Sequence, residues 1–241
     1  MKKLTEAPET IFAEYVKDWQ AALGAEVEAI ILYGSAARGE YAADKSDINL
    51  LVVLTPAGLA RLRQAIPLTA KWQKHAVVTP LVLTRDFLQA SRDSFPIEFL
   101  SMQCHHRVLF GEDVLHALEI APAHLRLQLE REIKGKLVHL WKGLLGKGQD
   151  RAALLELLLV SINDFYALFE AFLFLKGEPI PATRQESFRK VAAAANLDPG
   201  FIAPLFRLQT GSARPYREEL WQITEDYIAQ IAKLTDYIDH L

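Results

Sequence analysis

Gly34, Ser35, Arg38, Asp47 and Asn49 lie close together in the chain and have the chemistry to hold a polyphosphate. A glycine lets backbone approach phosphate oxygens closely. A serine hydroxyl, and the amides at the start of a helix, donate to those oxygens. An arginine adds a charge-assisted contact. Asp47 follows Ser35 by twelve positions, and Asn49 stands two further on. Residues two apart on a strand point to one face, so the pair would present a carboxylate and an amide oxygen together. The carboxylate can bind Mg²⁺; the amide oxygen is a weaker ligand beside it. Taken alone, Gly34-Ser35 is equally an ordinary turn from strand to helix.

The elements that must position these residues are legible from hydropathy and punctuation. Between Pro8 and Gly24, Phe12, Tyr15, Val16, Trp19 and Leu23 recur at near-helical spacing, which predicts an amphipathic helix. Val27–Tyr33 is short and apolar and reads as a strand, turned by Gly34-Ser35. Asp47–Leu54 reads as a second strand, apolar on both faces at its far end, as in a covered sheet. Pro56 opens a helical stretch through Trp72, and Val77–Leu83 is a third strand candidate despite Pro80. Thr84 is placed to cap a short helix from Arg85, and Val108–Gly111 reads as a fourth strand. Beyond residue 122 the strand signals stop. Helical spacing runs through Leu125–Leu144, Ala152–Leu175, Phe188–Ala195 and Tyr216–Leu241, with short breaks at glycines and prolines.

Leu32-Tyr33-Gly34-Ser35-Ala36-Ala37-Arg38-Gly39-Glu40, followed by Ser46-Asp47-Ile48-Asn49-Leu50, resembles the signature of the DNA-polymerase-beta-type nucleotidyltransferase superfamily. The helical half looks like the bundles that accompany the minimal domain in aminoglycoside nucleotidyltransferases and HEPN–MNT proteins. The resemblance implies an α+β fold: a small mixed sheet flanked by helices in a nucleotidyltransferase-like domain over residues 1–121, then an all-α helical bundle over 122–241. It implies transfer of NMP from an NTP to a hydroxyl acceptor, a small molecule or a protein side chain. Asp47 and Asn49 would stand at the catalytic positions, Asp47 as the Mg²⁺ ligand, with Gly34, Ser35 and Arg38 on the nucleotide. In the family, paired carboxylates hold two metal ions that clamp the attacking and leaving oxygens, and a third acid on the next strand acts as base.

The departures are specific. Asn49 carries no charge, and Thr79-Pro80-Leu81-Val82-Leu83 contains no acid. Asp86, Asp93 and Glu98 fall beyond that strand and read as caps or surface charges. One of three expected carboxylates is present, so Mg²⁺ binding is expected to be weak or nucleotide-dependent. The alternative is a catalytically inactive module that binds a nucleotide or a partner and acts in regulation.

Other residues read more plainly. Cys104, the lone cysteine, excludes an internal disulfide and reads as a small buried apolar group. His105-His106 would point opposite ways in a strand, a poor metal site. Gly111-Glu112-Asp113 resembles a family tripeptide and is expected to start the next helix. Arg126–Arg151 holds seven Lys/Arg against three Asp/Glu, read as a solvated helix face rather than a polyphosphate site. Asn163-Asp164 is expected to make a structural hydrogen bond inside an apolar helix. Arg131 and His139 are too far apart for the ribonuclease-type HEPN motif. A net charge of −3 makes nucleic acid an unlikely partner. Met1–Glu6 is not followed by an apolar signal segment, and charges interrupt Leu154–Leu175, so a cytoplasmic protein without a membrane span is expected, with a homodimer left open.

Overall fold

A computed structural model describes residues 7–41 and 46–241; the Met1–Glu6 reading lies outside them. The chain divides into two compact units, Met1–Ile120 and Ala121–Leu241.

The first unit is built on a four-stranded mixed sheet of order β3-β2-β1-β4, with β1 Val27–Tyr33, β2 Asn49–Leu54, β3 Leu81–Leu83 and β4 His106–Gly111. β1 is antiparallel to both β2 and β4, and β3 is parallel to β2. Leu50–Leu54 is fully buried, so both faces of β2 are covered, as its unbroken apolar run predicts. Helix α1, Glu9–Leu23, places Tyr15 and Trp19 against Ile30, Leu32, Ile48, Leu50 and Val52. Trp72 joins the same cluster, and its indole N–H donates to Asp18 over 3.0 Å.

Several elements depart from the periodicity. The stretch after Pro56 is helix α2, Pro56–Ala60, a 3-10 turn over Leu62–Ala65, and helix α3, Ile66–Gln73. Pro67 has no amide to donate, so a new helix starts at it instead of the old one passing through. The third strand shrinks from the expected seven residues to Leu81–Leu83, with Val77 making a lone parallel bridge to Ile48. Between these contacts the chain advances three residues on one side and four on the other, so Pro80 sits in a bulged stretch. Thr84 caps α4, Arg85–Ala90, by accepting from the Phe87 amide at 3.1 Å. Helix α5, Pro96–Cys104, was not foreseen; its start is a proline at the first turn. Cys104, at its last turn, is half-buried rather than buried. Residues 114–117 form a turn, not the helix expected after Asp113.

The second unit is helical: α6 Pro122–Lys147, α7 Arg151–Leu175, α8 Arg184–Ala194, α9 Ile202–Gln209 and α10 Arg217–Asp239. α6 and α7 are antiparallel neighbours, as the Lys136–Asp164 ion pair and the Gly143–Leu157 contact require. α7 and α10 run parallel: Ser161 bonds Tyr227 midway along both, and Phe172 meets Tyr237 towards their C-terminal ends. Only the first pair is therefore up-and-down; α8 and α9 carry the chain back before α10. Phe169, Phe188, Phe201 and Tyr227 form an aromatic chain through this core. α7 is the one helix among the described residues long and apolar enough to cross a bilayer, and Leu154, Leu158, Phe165 and Phe172 on it are buried in the unit.

Candidate active site

The five signature residues converge at one end of the sheet. Tyr33, the last residue of β1, pairs with Asn49, the first of β2. Gly34 follows at once with φ +76°, a left-handed conformation that glycine adopts without strain. A Cβ on Gly34 would lie 3.0 Å from Asn49 Nδ2, so backbone and amide are in close approach. Arg38 N and Ala37 N donate to the Gly34 carbonyl at 3.2 and 3.1 Å, and Glu40 N donates to the Ser35 carbonyl at 2.9 Å. The segment is a run of tight turns instead of the short helix expected there. Its internal bonds use the amides of Ala37, Arg38, Gly39 and Glu40, which leaves Ser35 and Ala36 at its head. Arg38 is nearly buried and lies 3.6 Å from Glu40, so its charge is shared before any phosphate arrives.

Asp47 and Asn49 flank Ile48, which is fully buried among Tyr15, Trp19 and Trp72. Strand alternation therefore turns Asp47 and Asn49 to the opposite face. Both are half-buried, and Asn49 Nδ2 donates at 3.4 Å to the Asp47 carbonyl. On the neighbouring strand Leu81 pairs with Leu51 and so shares the Asn49 face. Thr79 is held from the other side, its hydroxyl accepting from Gln73 of α3 at 3.4 Å. Of the third-strand residues on that face, Leu81 and Leu83, Leu81 lies nearer Asn49, and leucine cannot supply an acid.

Outlying acids do not fill the gap. Asp86 and Glu98 are exposed in the first turns of α4 and α5, and Asp93 accepts from its neighbour Ser94. Among the described residues no three His, Cys, Asp or Glu side chains cluster as a metal site. The donor set at the signature, one carboxylate and one amide, does not fit a two-metal clamp.

His106 extends the same row. Tyr33 is the register partner of both Asn49 and His106, so all three side chains share a face. Burial raises the Tyr33 phenol above its usual range. His106 Nε2 lies 3.0 Å from Asp113 Oδ2, and Nδ1 lies 3.1 Å from the Gln103 carbonyl. The other Asp113 oxygen accepts from the amides of Leu115 and His116 at 3.1 and 3.0 Å. Partial burial opposes the Asp113 charge, but the bonds from His106 and the two amides outweigh it and hold the carboxyl below its usual range. His106 is thus half-buried and held between Asp113 and the Gln103 carbonyl. The Gly111-Glu112-Asp113 tripeptide was visible in the sequence; its pairing with His106 was not.

The basic strip on α6, read from the sequence as a solvated face, is largely engaged in ion pairs. Lys134 meets Glu130 and Asp239, Lys136 meets Asp164, and Arg126 meets Glu130. Asn163 and Asp164 are exposed, not buried, and Asn163 accepts a short bond from Arg184.

The family model described as nucleotidyltransferase domain matches residues 11–101, which span α1, the signature and the first three strands. By this match, residues 11–101 of the N-terminal unit form a nucleotidyltransferase domain. The fold of the whole chain is similar to that of spectinomycin adenyltransferase from Enterococcus faecialis, a crystal structure with ATP and spectinomycin. That likeness has a TM-score of 0.55 at 11% identity and covers 95% of this chain and 99% of that one. No curated protein matches the chain. In this nucleotidyltransferase domain, the turn after β1 and the start of β2 are in place, with Asn49 and Leu81 on one face of the sheet.

Proposed function

We propose that the chain binds a nucleoside triphosphate at the Gly34–Asn49 end of the sheet and that nucleotidyl transfer there is impaired. Gly34, Ser35 and Arg38 would hold phosphate, and Asp47 would take the one divalent cation that a single carboxylate supports, weakly without nucleotide. The observation that carries the reading is Leu81, which lies on the Asn49 face where an acid is required and is paired beside Leu51. Without that acid nothing on the strand takes the proton of an acceptor hydroxyl. The output of such a protein is binding: a nucleotide-dependent surface for a regulatory partner.

The second reading is an active transferase moving NMP to a small hydroxyl acceptor, and the whole-chain likeness to an adenyltransferase fold favours it. One experiment separates them: pyrophosphate release from labelled NTPs with Mg²⁺ across a panel of small hydroxyl acceptors, spectinomycin included. The unmodified protein and Asn49→Asp are expected to give no turnover above background. Asn49→Asp combined with Leu81→Glu is expected to gain it, whereas Asn49→Asp with Thr79→Glu is not. Turnover by the unmodified protein that Asp47→Ala abolishes would overturn the impaired reading. Failure of the unmodified protein to bind any NTP with Mg²⁺ would remove the nucleotide-binding one.

A further inference from the structure

The second unit contains an open cleft of about 630 Å³ between the end of α9 and the start of α10. Its walls include Pro204, Arg207, Ser212, Arg214, Pro215 and Ile223. The unit has eight arginines. Arg126, Arg131, Arg189 and Arg217 pair with glutamates, Arg151 donates to the Pro215 carbonyl, and Arg184 donates to Asn163. Among the described residues, the guanidinium groups of Arg207 and Arg214 have no such partner, and both line this cleft. The acid beside them, Glu219, is engaged by the Tyr216 amide at 3.1 Å in a capping box.

The loop that carries Arg214 is fastened. Gly211 turns it with φ +71°, and Ala213 N and Ser212 Oγ donate to the Arg207 carbonyl, both at 3.2 Å. Arg151 holds Pro215 from the next helix at 2.9 Å. Two proline rings and Ile223 give the cleft an apolar side that inorganic anions do not need. Two guanidinium forks without such partners, one on α9 and one on a braced loop, suit a phosphate group at little entropic cost.

The geometry points to a second ligand site in this protein, one that takes a small phosphorylated organic molecule, with its phosphate on Arg207 and Arg214 and its body on Pro204, Pro215 and Ile223. The assignment does not rest on the reading given for the signature.

Calorimetry on the full chain in EDTA, with AMP and with inorganic pyrophosphate as probes, tests the assignment. AMP is expected to bind at millimolar concentration or below, and more tightly than pyrophosphate. The double variant Arg207→Gln, Arg214→Gln is expected to weaken AMP at least about tenfold. Arg189→Gln, an exposed arginine elsewhere in the unit, is expected to leave it within about twofold. Both cleft arginines are exposed, so the double variant should melt with the unmodified protein. No AMP binding by the unmodified chain, or equal binding by the double variant, would overturn the site. Pyrophosphate binding as tightly as AMP would overturn the organic body.

Discussion

Asn49 is nearly the size of an aspartate; it starts β2, pairs with Tyr33 and lies against Gly34. What changes is charge. An amide beside Asp47 lowers the attraction for a cation and also relieves the repulsion between two adjacent carboxylates, so the site is cheaper to fold without metal. His106 and Asp113 show the opposite economy, a pair that costs some burial and regains it in hydrogen bonds. The Asp113 carboxyl sits below its unfolded value near 3.8. A depressed folded pKa contributes stability above the unfolded pKa, and that contribution is lost as pH falls through the folded one. The Tm difference between the unmodified protein and Asp113→Asn should therefore be largest above about pH 4 and shrink below it. Asp113 is 39% exposed, so the difference should correspond to no more than about 1 kcal/mol. A difference that grew on acidification would show that the carboxylate is not the stabilising form.

At the scale of elements, the sheet is held most tightly where the chain leaves least room. Gly111 ends β4 with φ +78°, opposite Ala29, and a Cβ there would come within 1.9 Å of the Glu28 carbonyl. Neither the backbone angle nor the space admits alanine. Gly111→Ala should cost at least about 2 kcal/mol in urea unfolding, because β4 must part from β1 to accept it. An effect within about 0.5 kcal/mol would mean that the strand end relaxes freely. The edge strand β3 is the weaker element. Pro80 withholds an amide, the register shifts by one, and three paired residues remain. Arg85, following β3, compensates by joining Glu28 of β1 to Glu112 just after β4.

At the scale of the molecule, each unit carries its own core. The first closes around Tyr15, Trp19, Trp72 and the sheet; the second closes around Phe165, Phe169, Phe172, Phe188 and Tyr227, all buried. A chain of residues 121–241 expressed alone should unfold cooperatively, with native near-ultraviolet dichroism from the packed aromatics. Loss of that signal with helicity retained would mean that the second core depends on the first unit.

The sequence by itself determined the strands that hold the signature, the order of elements around it and the division into an α+β half and a helical half. Those features follow from local rules: hydrophobic period, caps, and the glycine that a sharp turn needs. It also determined, through residue type alone, that Asn49 has no charge. Only the tertiary structure decided which residue of the third strand faces Asn49, because the bulge at Pro80 reverses the simple alternation between Val77 and Leu81. Only it brought His106 to Asp113 and to the row of Tyr33 and Asn49, since that row spans three strands far apart in sequence. And only it separated the arginines of the helical unit into six that are paired and two that face a cleft. Four of those pairs lie within one helix, one to four residues apart, but the partners of Arg151 and Arg184 sit on other elements, and no period along the chain places Arg207 and Arg214 on one cleft.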